Sequence, residues 1–238
     1  MSRRLLLLSN SVSYGQGYLE HAEDAIRAFL GDGVNSIAFV PYAGVTISED
    51  QYAAKVRAHF EPIGYAVVSV HEVDNPEDLV RSADAIAVGG GNTFRLLQQM
   101  TETGLLSVVR ERVIAGVPYI GWSAGSNLAC PTIRTTNDMP IVEPPSFAAL
   151  HLIPFQINPH YLDAHPDKHQ GETREQRLLE FVTLNPDTTV VGLREGSILR
   201  VEAERMRLLG DRTMRVFHGA AEPAELGPDE ELSFMLNA

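Results

Sequence analysis

Five short apolar runs, most of them followed by a stretch with helical spacing, fill the first half of this 238-residue chain and leave it few ways to fold. They cover residues 5–8, 36–40, 66–70, 85–88 and 119–121. Their length and their aliphatic and β-branched content predict buried strands. Among them, residues 19–30, 48–60, 76–81, 93–100 and 105–115 read as helices. Ser48 with Gln51 three residues on has the pattern of a capping box, which gives that helix a defined start. Such alternation predicts βα units of the α/β class, with a mostly parallel sheet and helices on both faces.

The pattern changes after Cys130. Residues 131–145 are irregular, 150–157 are strand-like, 163–171 form a polar loop, and 173–184 are helical with a second capping-box pair, Thr173 and Gln176. Residues 188–193, 197–201, 206–209 and 214–217 then predict the short strands of a C-terminal β meander. The acidic, proline-bearing stretch 220–231 is expected to be loosely held. No internal repeat or low-complexity linker interrupts the chain, so residues 1–238 are read as one domain.

Thirty-one acidic against nineteen basic side chains give a formal net charge of -12. That balance argues against nucleic acid or an anionic membrane as the main partner, because both are held by basic patches. Cys130 is the one cysteine, so no intrachain disulfide can form and a reducing compartment is expected. The leucine run near the amino terminus is too short for a signal-peptide core, and no stretch approaches a membrane span. The expectation is a cytoplasmic protein.

Chemistry is concentrated where the fourth and fifth predicted strands end. Gly121-Trp122-Ser123-Ala124-Gly125 fits the G-x-S-x-G pattern of a nucleophile elbow, a strand, a sharp turn and then a helix. Glycines let the backbone pass close to the turn, and the following helix start favours developing negative charge. Gly89-Gly90-Gly91 closes the fourth strand. In open α/β sheets ligands bind outside the carboxyl ends of the strands, so Ser123 and the triple glycine are expected to meet.

A serine hydroxyl needs a base, usually a histidine oriented by a carboxylate. His21, His59 and His71 read as surface residues, His151 as the start of a strand, and His165 and His169 as members of a polar loop. His160 follows an apolar strand on a turn stiffened by Pro159. His218 is the alternative, giving with Ser123 the Ser…acid…His order of α/β-hydrolases, although no HGGG-type turn accompanies it. For the acid, Asp138 and Glu195 are both open.

Five blocks stand in order: Gly89-Gly90-Gly91-Asn92-Thr93, Gly121 to Asn127, Asn158-Pro159-His160-Tyr161, Gly171 to Arg177, and Gly192-Leu193-Arg194-Glu195-Gly196. Together they closely resemble the peptidase E, or aspartyl dipeptidase, family, which is related to cyanophycinases and more remotely to class I glutamine amidotransferases. The likeness spans residues 5–197 without a departure at the motif positions. The tail after Gly219 adds nothing to it.

The resemblance implies a glutamine amidotransferase-like, flavodoxin-like fold, with Ser123 as nucleophile and His160 as general base. It implies Glu195 as the third member, with Asp138 in a position to serve instead. It further implies hydrolysis of Asp-X dipeptides with an N-terminal aspartate, without metal or cofactor, and leaves a homodimer open. Arg174 would recognise the aspartate side chain, a role that suits a guanidinium, and Asn92 would also bind substrate. The N–H groups of Ala124 and of Gly90 or Gly91 are the expected oxyanion donors. Two rival readings are a cyanophycinase-like hydrolase of β-aspartyl-arginine and a non-catalytic amidotransferase-like binding module. The latter would be expected to lose the serine, histidine or acid, and this chain keeps all three.

Overall fold

A computed structural model of the chain describes residues 3–163 and 171–237. The first five strands, β1 (Arg4–Leu8), β2 (Ser36–Val40), β3 (Ala66–Ser69), β4 (Ala85–Val88) and β5 (Tyr119–Trp122), are parallel and stand in the order β3-β2-β4-β5-β1. β6 (Gln156–Tyr161), β7 (Thr189–Arg194), β8 (Ile198–Glu202), β9 (Arg205–Leu209), β10 (Met214–His218) and β11 (Ala224–Leu226) follow. β8 pairs antiparallel with β1, and β9 with β8, completing a seven-stranded sheet. The other four form a second sheet, ordered β11-β10-β7-β6.

β1 shows why these strands are apolar at every position. Side chains alternate between the faces of a strand, and this sheet is covered on both. Leu6 and Leu8 pack with Phe29, Phe39 and Trp122 on the face carrying α1 (Glu23–Leu30) and α2 (Glu49–Phe60). Leu5 and Leu7 pack on the opposite face, with residues of α3 (Pro76–Ser82), α4 (Thr93–Glu102), α5 (Leu105–Ile114) and α6 (Ala124–Leu128). Ile157, Val191 and Met214 of the second sheet join that same core. Its other face, with Val190 and Phe217, is closed by Leu178 and Val182 of α7 (Arg174–Leu184). Both expected capping boxes are formed, Ser48 with Gln51 and Thr173 with Gln176.

Three expectations change. The strand expected over 150–157 begins only at Gln156 and runs on to Tyr161. Ahead of it, Leu150 and Leu152 are buried in irregular chain, their N–H groups bonded to the carbonyls of Leu128 and Ala129. An apolar run reports burial, and periodicity alone does not assign its backbone. The strands after α7 lie where expected but form no single meander, because β8 and β9 join the large sheet while β7 and β10 join the small one. The stretch 220–231 is held at its middle, where β11 pairs with β10, and the chain just beyond it buries Leu232, Met235 and Leu236. No helix among the described residues is long and apolar enough to cross a membrane.

Candidate active site

Ser123 follows β5 at φ 53° and ψ -109°, a conformation costly for any residue with a Cβ. Buried hydrogen bonds impose it. Ser126 Oγ donates to the carbonyls of Leu8 (2.7 Å) and Gly121 (2.9 Å), and the Tyr119 hydroxyl donates to Gly125 O at 2.7 Å. The N–H groups of Ser126 and Asn127 both bond back to Ser123 O. Gly125 packs so closely under β4 that a Cβ there would collide with the Val88 carbonyl.

The triple glycine meets this elbow as expected. A Cβ on Gly90 would stand 3.1 Å from that of Ser123, and Gly91 has φ 139° with the Ala43 carbonyl where a Cβ would go. The N–H groups of Gly90, Gly91 and Ala124 have no backbone acceptor among the described residues. Ala124 opens α6, so its N–H is one of the donors that a helix start leaves unpaired. Tyr52, on α2, braces this loop. Its hydroxyl donates to Gly90 O and accepts from Trp122 Nε1, each at 3.0 Å.

His160 faces the elbow from the small sheet. Its Nε2 lies 3.0 Å from Ser123 Oγ and its Nδ1 2.6 Å from Glu195 Oε1. It too has a positive φ, 53°, within an irregularity in the β6–β7 register between Asn158 and Tyr161. Such bulges re-aim a side chain. The His160 N–H donates to Ser9 Oγ at 2.9 Å, and that buried hydroxyl donates to Leu193 O at 2.8 Å. Asn10 Oδ1 accepts the Gly196 N–H at 2.8 Å. On the other side of Glu195, Arg194 pairs with Asp163 and Glu225, and its guanidinium lies over the Tyr161 ring. The backbone around the acid is therefore tied down, while the His160 and Glu195 side chains stay 39% and 48% exposed.

Of the two candidate acids, Glu195 reaches the imidazole. Asp138 Oδ2 instead accepts from Thr93 N (2.8 Å), Thr93 Oγ1 (2.6 Å) and Thr136 Oγ1 (3.0 Å), at the start of α4. Asn92 is engaged at both ends of its side chain, with Oδ1 accepting from Arg95 N and Nδ2 donating to Met139 O, so it frames the glycine loop. Arg174, the first residue of α7, is half-buried with no hydrogen bond or ion pair among the described residues. Burial pulls its guanidinium below the ordinary value, Arg177 adds to this, and Asp138 opposes it.

His218 bonds Thr189 Oγ1 at the far end of β7 from Arg194 and takes no part in this cluster. His21 and His59, expected on the surface, are half-buried, and desolvation lowers the pKa of both imidazoles. Packing of α1 and α2 onto the sheet covers rings that the polar local sequence leaves open. His71 is also partly covered, held between Ser69 and Asp50, and His151 is exposed outside any strand. His165 and His169 lie outside the described residues. Sequence reasoning missed Ser9, Asn10 and Tyr52. The one local signal was a polar Ser9-Asn10 pair directly after four buried leucines.

Comparison with known proteins gives the family. Residues 5–209 match the model of peptidase family S51. The chain is 52% identical to a peptidase E of Nostoc sp., covering 99% of this chain and 98% of that one. It is 53% identical to a peptidase E of Streptomyces coelicolor, covering 98% and 95%. The crystal structure of a peptidase from an acI-B1 Actinobacterium shares the fold, with a TM-score of 0.73 at 20% identity over 98% of each chain. The chain belongs to peptidase family S51, as a serine-type peptidase.

Proposed function

We propose that the protein is a dipeptidase hydrolysing Asp-X dipeptides with an N-terminal aspartate, through an acyl-enzyme on Ser123. One observation carries the reading: Ser123 Oγ, His160 and Glu195 stand in line, with contacts of 3.0 and 2.6 Å. Neutral His160 accepts the hydroxyl proton at Nε2 as Ser123 attacks the aspartyl carbonyl. Glu195 orients the ring through Nδ1–H and stabilises the imidazolium. The tetrahedral oxyanion is received by the N–H groups of Ala124 and of Gly90 or Gly91; losing one such donor typically raises the barrier by about 3 kcal/mol. His160 then protonates the leaving amine, activates a water, and the ester is hydrolysed.

Selection of aspartate falls to Arg174. A half-buried guanidinium with no paired carboxylate among the described residues is stabilised by an incoming one, and its planar fork suits bidentate binding. The relatives' shared name, peptidase E, supports this reading. For the rival β-aspartyl-arginine hydrolase, the described residues lining the cleft over Ser123 include no carboxylate to receive an arginine.

A dipeptide panel tests the reading. Native protein should hydrolyse Asp-Leu far faster than Ala-Leu or β-Asp-Arg, and Arg174→Ala should lower kcat/KM for Asp-Leu by about 100-fold or more. Equal turnover of Asp-Leu and Ala-Leu by native protein would remove Arg174 from the specificity pocket. Preference for β-Asp-Arg would give the site to the rival substrate.

A further inference from the structure

The hydroxyl of Tyr52 has its hydrogen-bonding roles set by its partners. The capping box of Ser48 and Gln51 fixes where α2 starts, and Tyr52 follows on the first turn, its buried ring edge-on to Phe39 with centroids 5.1 Å apart. Trp122 Nε1 can only donate and the Gly90 carbonyl can only accept. The phenol therefore takes a hydrogen bond from the indole and gives its one proton to Gly90 O, each at 3.0 Å. Burial raises the pKa of this phenol above its ordinary value, which keeps the proton in place. Gly89 makes room for the arrangement: a Cβ there would stand 2.5 Å from the Tyr52 oxygen and 2.8 Å from the ring carbon that bears it. The first glycine of the triple thus admits the phenol.

Gly90 O and the Gly91 N–H belong to one trans peptide, whose plane sends them in opposite directions. A hydroxyl that holds the carbonyl toward α2 therefore turns the Gly91 N–H away from α2. Gly91 lines the cleft over Ser123, and its N–H has no backbone acceptor among the described residues. We propose that Tyr52 is a positioning residue for the oxyanion step: through the Gly90–Gly91 peptide it aims the Gly91 N–H, and not that of Gly90, at the oxygen that becomes charged when Ser123 attacks. The inference rests on the acyl-enzyme reading above and is independent of which residue precedes the cleaved bond. A donor of this kind helps only if it is already oriented when the charge forms. Three successive glycines have little orientation of their own, so a bond from outside the loop must hold the plane. The indole that anchors the hydroxyl belongs to the residue just before Ser123, so one oxygen ties the glycine loop to the elbow.

Fluorophosphonate labelling tests this without reference to a peptide. Ser123 Oγ bonds to phosphorus as fluoride leaves, and charge again builds on an oxygen beside the elbow. Tyr52→Phe keeps the ring and removes only the hydroxyl. It should slow labelling of Ser123 by about 10- to 100-fold, against roughly 10²- to 10³-fold for a donor removed outright. It should lower kcat for Asp-Leu by a similar factor with KM little changed, the pattern of an interaction made only in the transition state. By NMR, the Gly91 amide proton of native protein should move downfield on phosphonylation of Ser123 while that of Gly90 stays, and Tyr52→Phe should shrink the Gly91 shift. Labelling of Tyr52→Phe at the native rate, or a downfield move at Gly90 in place of Gly91, would overturn the assignment. The native amide shifts decide the point even if Tyr52→Phe does not fold. Native protein that is labelled at Ser123 but leaves Asp-Leu intact would sink the Asp-X reading alone, and labelling rates and amide shifts would still decide the role of Tyr52.

Discussion

Ser123 and His160 share a φ of 53°, yet different forces hold them there. The serine elbow is fixed mostly by near neighbours in the chain: Tyr119, Gly121, Gly125 and Ser126 make the bonds and close contacts that bend it. The histidine is fixed by residues about 150 positions away. Ser9 takes its N–H, and Asn10 holds the turn that carries Glu195. One half of the site is a local motif on a parallel sheet. The other exists only once a second sheet has docked against the end of β1.

Substitutions can separate the two halves. The largest effect on turnover should come from the long-range half: Glu195→Gln should lower kcat by about 10³-fold or more, by analogy with triad acids. Asp138→Asn keeps an acceptor oxygen but loses a negative charge at the start of α4, so it should leave kcat little changed and remove about 0.3–1 kcal/mol of stability. A larger fall in kcat for Asp138→Asn would reverse the assignment of the acid. On the local half, Gly125→Ala should destabilise the fold by about 3 kcal/mol or more, because the new Cβ meets the Val88 carbonyl. Unchanged denaturant midpoints would show that the elbow is not packed as described.

Smaller effects sharpen the contrast. Ser9→Ala strips a partner from both the His160 N–H and Leu193 O. It should lower stability by about 1–3 kcal/mol and reduce kcat more than it changes KM; a normal kcat would mean that the imidazole is positioned without it. The smallest change is in pH dependence. Arg194, then Thr213 and Arg215, hold the Glu225 carboxyl down at about 2 against an ordinary 4.5, although its burial pushes the other way. Because the folded value is depressed, this stabilisation is present above pH 4.5 and lost as pH falls toward 2. Glu225→Gln should therefore flatten Tm against pH within that window, while a profile parallel to native would remove the Arg194 cluster from the acid response.

The same contrast explains what was legible in the sequence. The five parallel strands, the helices between them, both capping boxes and the Ser123 elbow rest on residues within a few positions of one another, and local patterning reads such arrangements. Strand membership after α7 was not readable, because β7 and β8 have similar apolar patterns and only docking decides which sheet each joins. The choice between Asp138 and Glu195 was closed to local reading for a related reason. Each lies beside a turn, and only the fold shows that Thr93 and Thr136 occupy Asp138 while Glu195 turns toward His160.

The central claim is that His160 activates the Ser123 hydroxyl, and labelling with a fluorophosphonate tests it directly. Native protein should be modified once, at Ser123, as read by peptide mass spectrometry, and His160→Ala should slow that reaction by about 10³-fold or more. Modification of a different serine, or labelling of Ser123 at the native rate without the imidazole, would contradict the account.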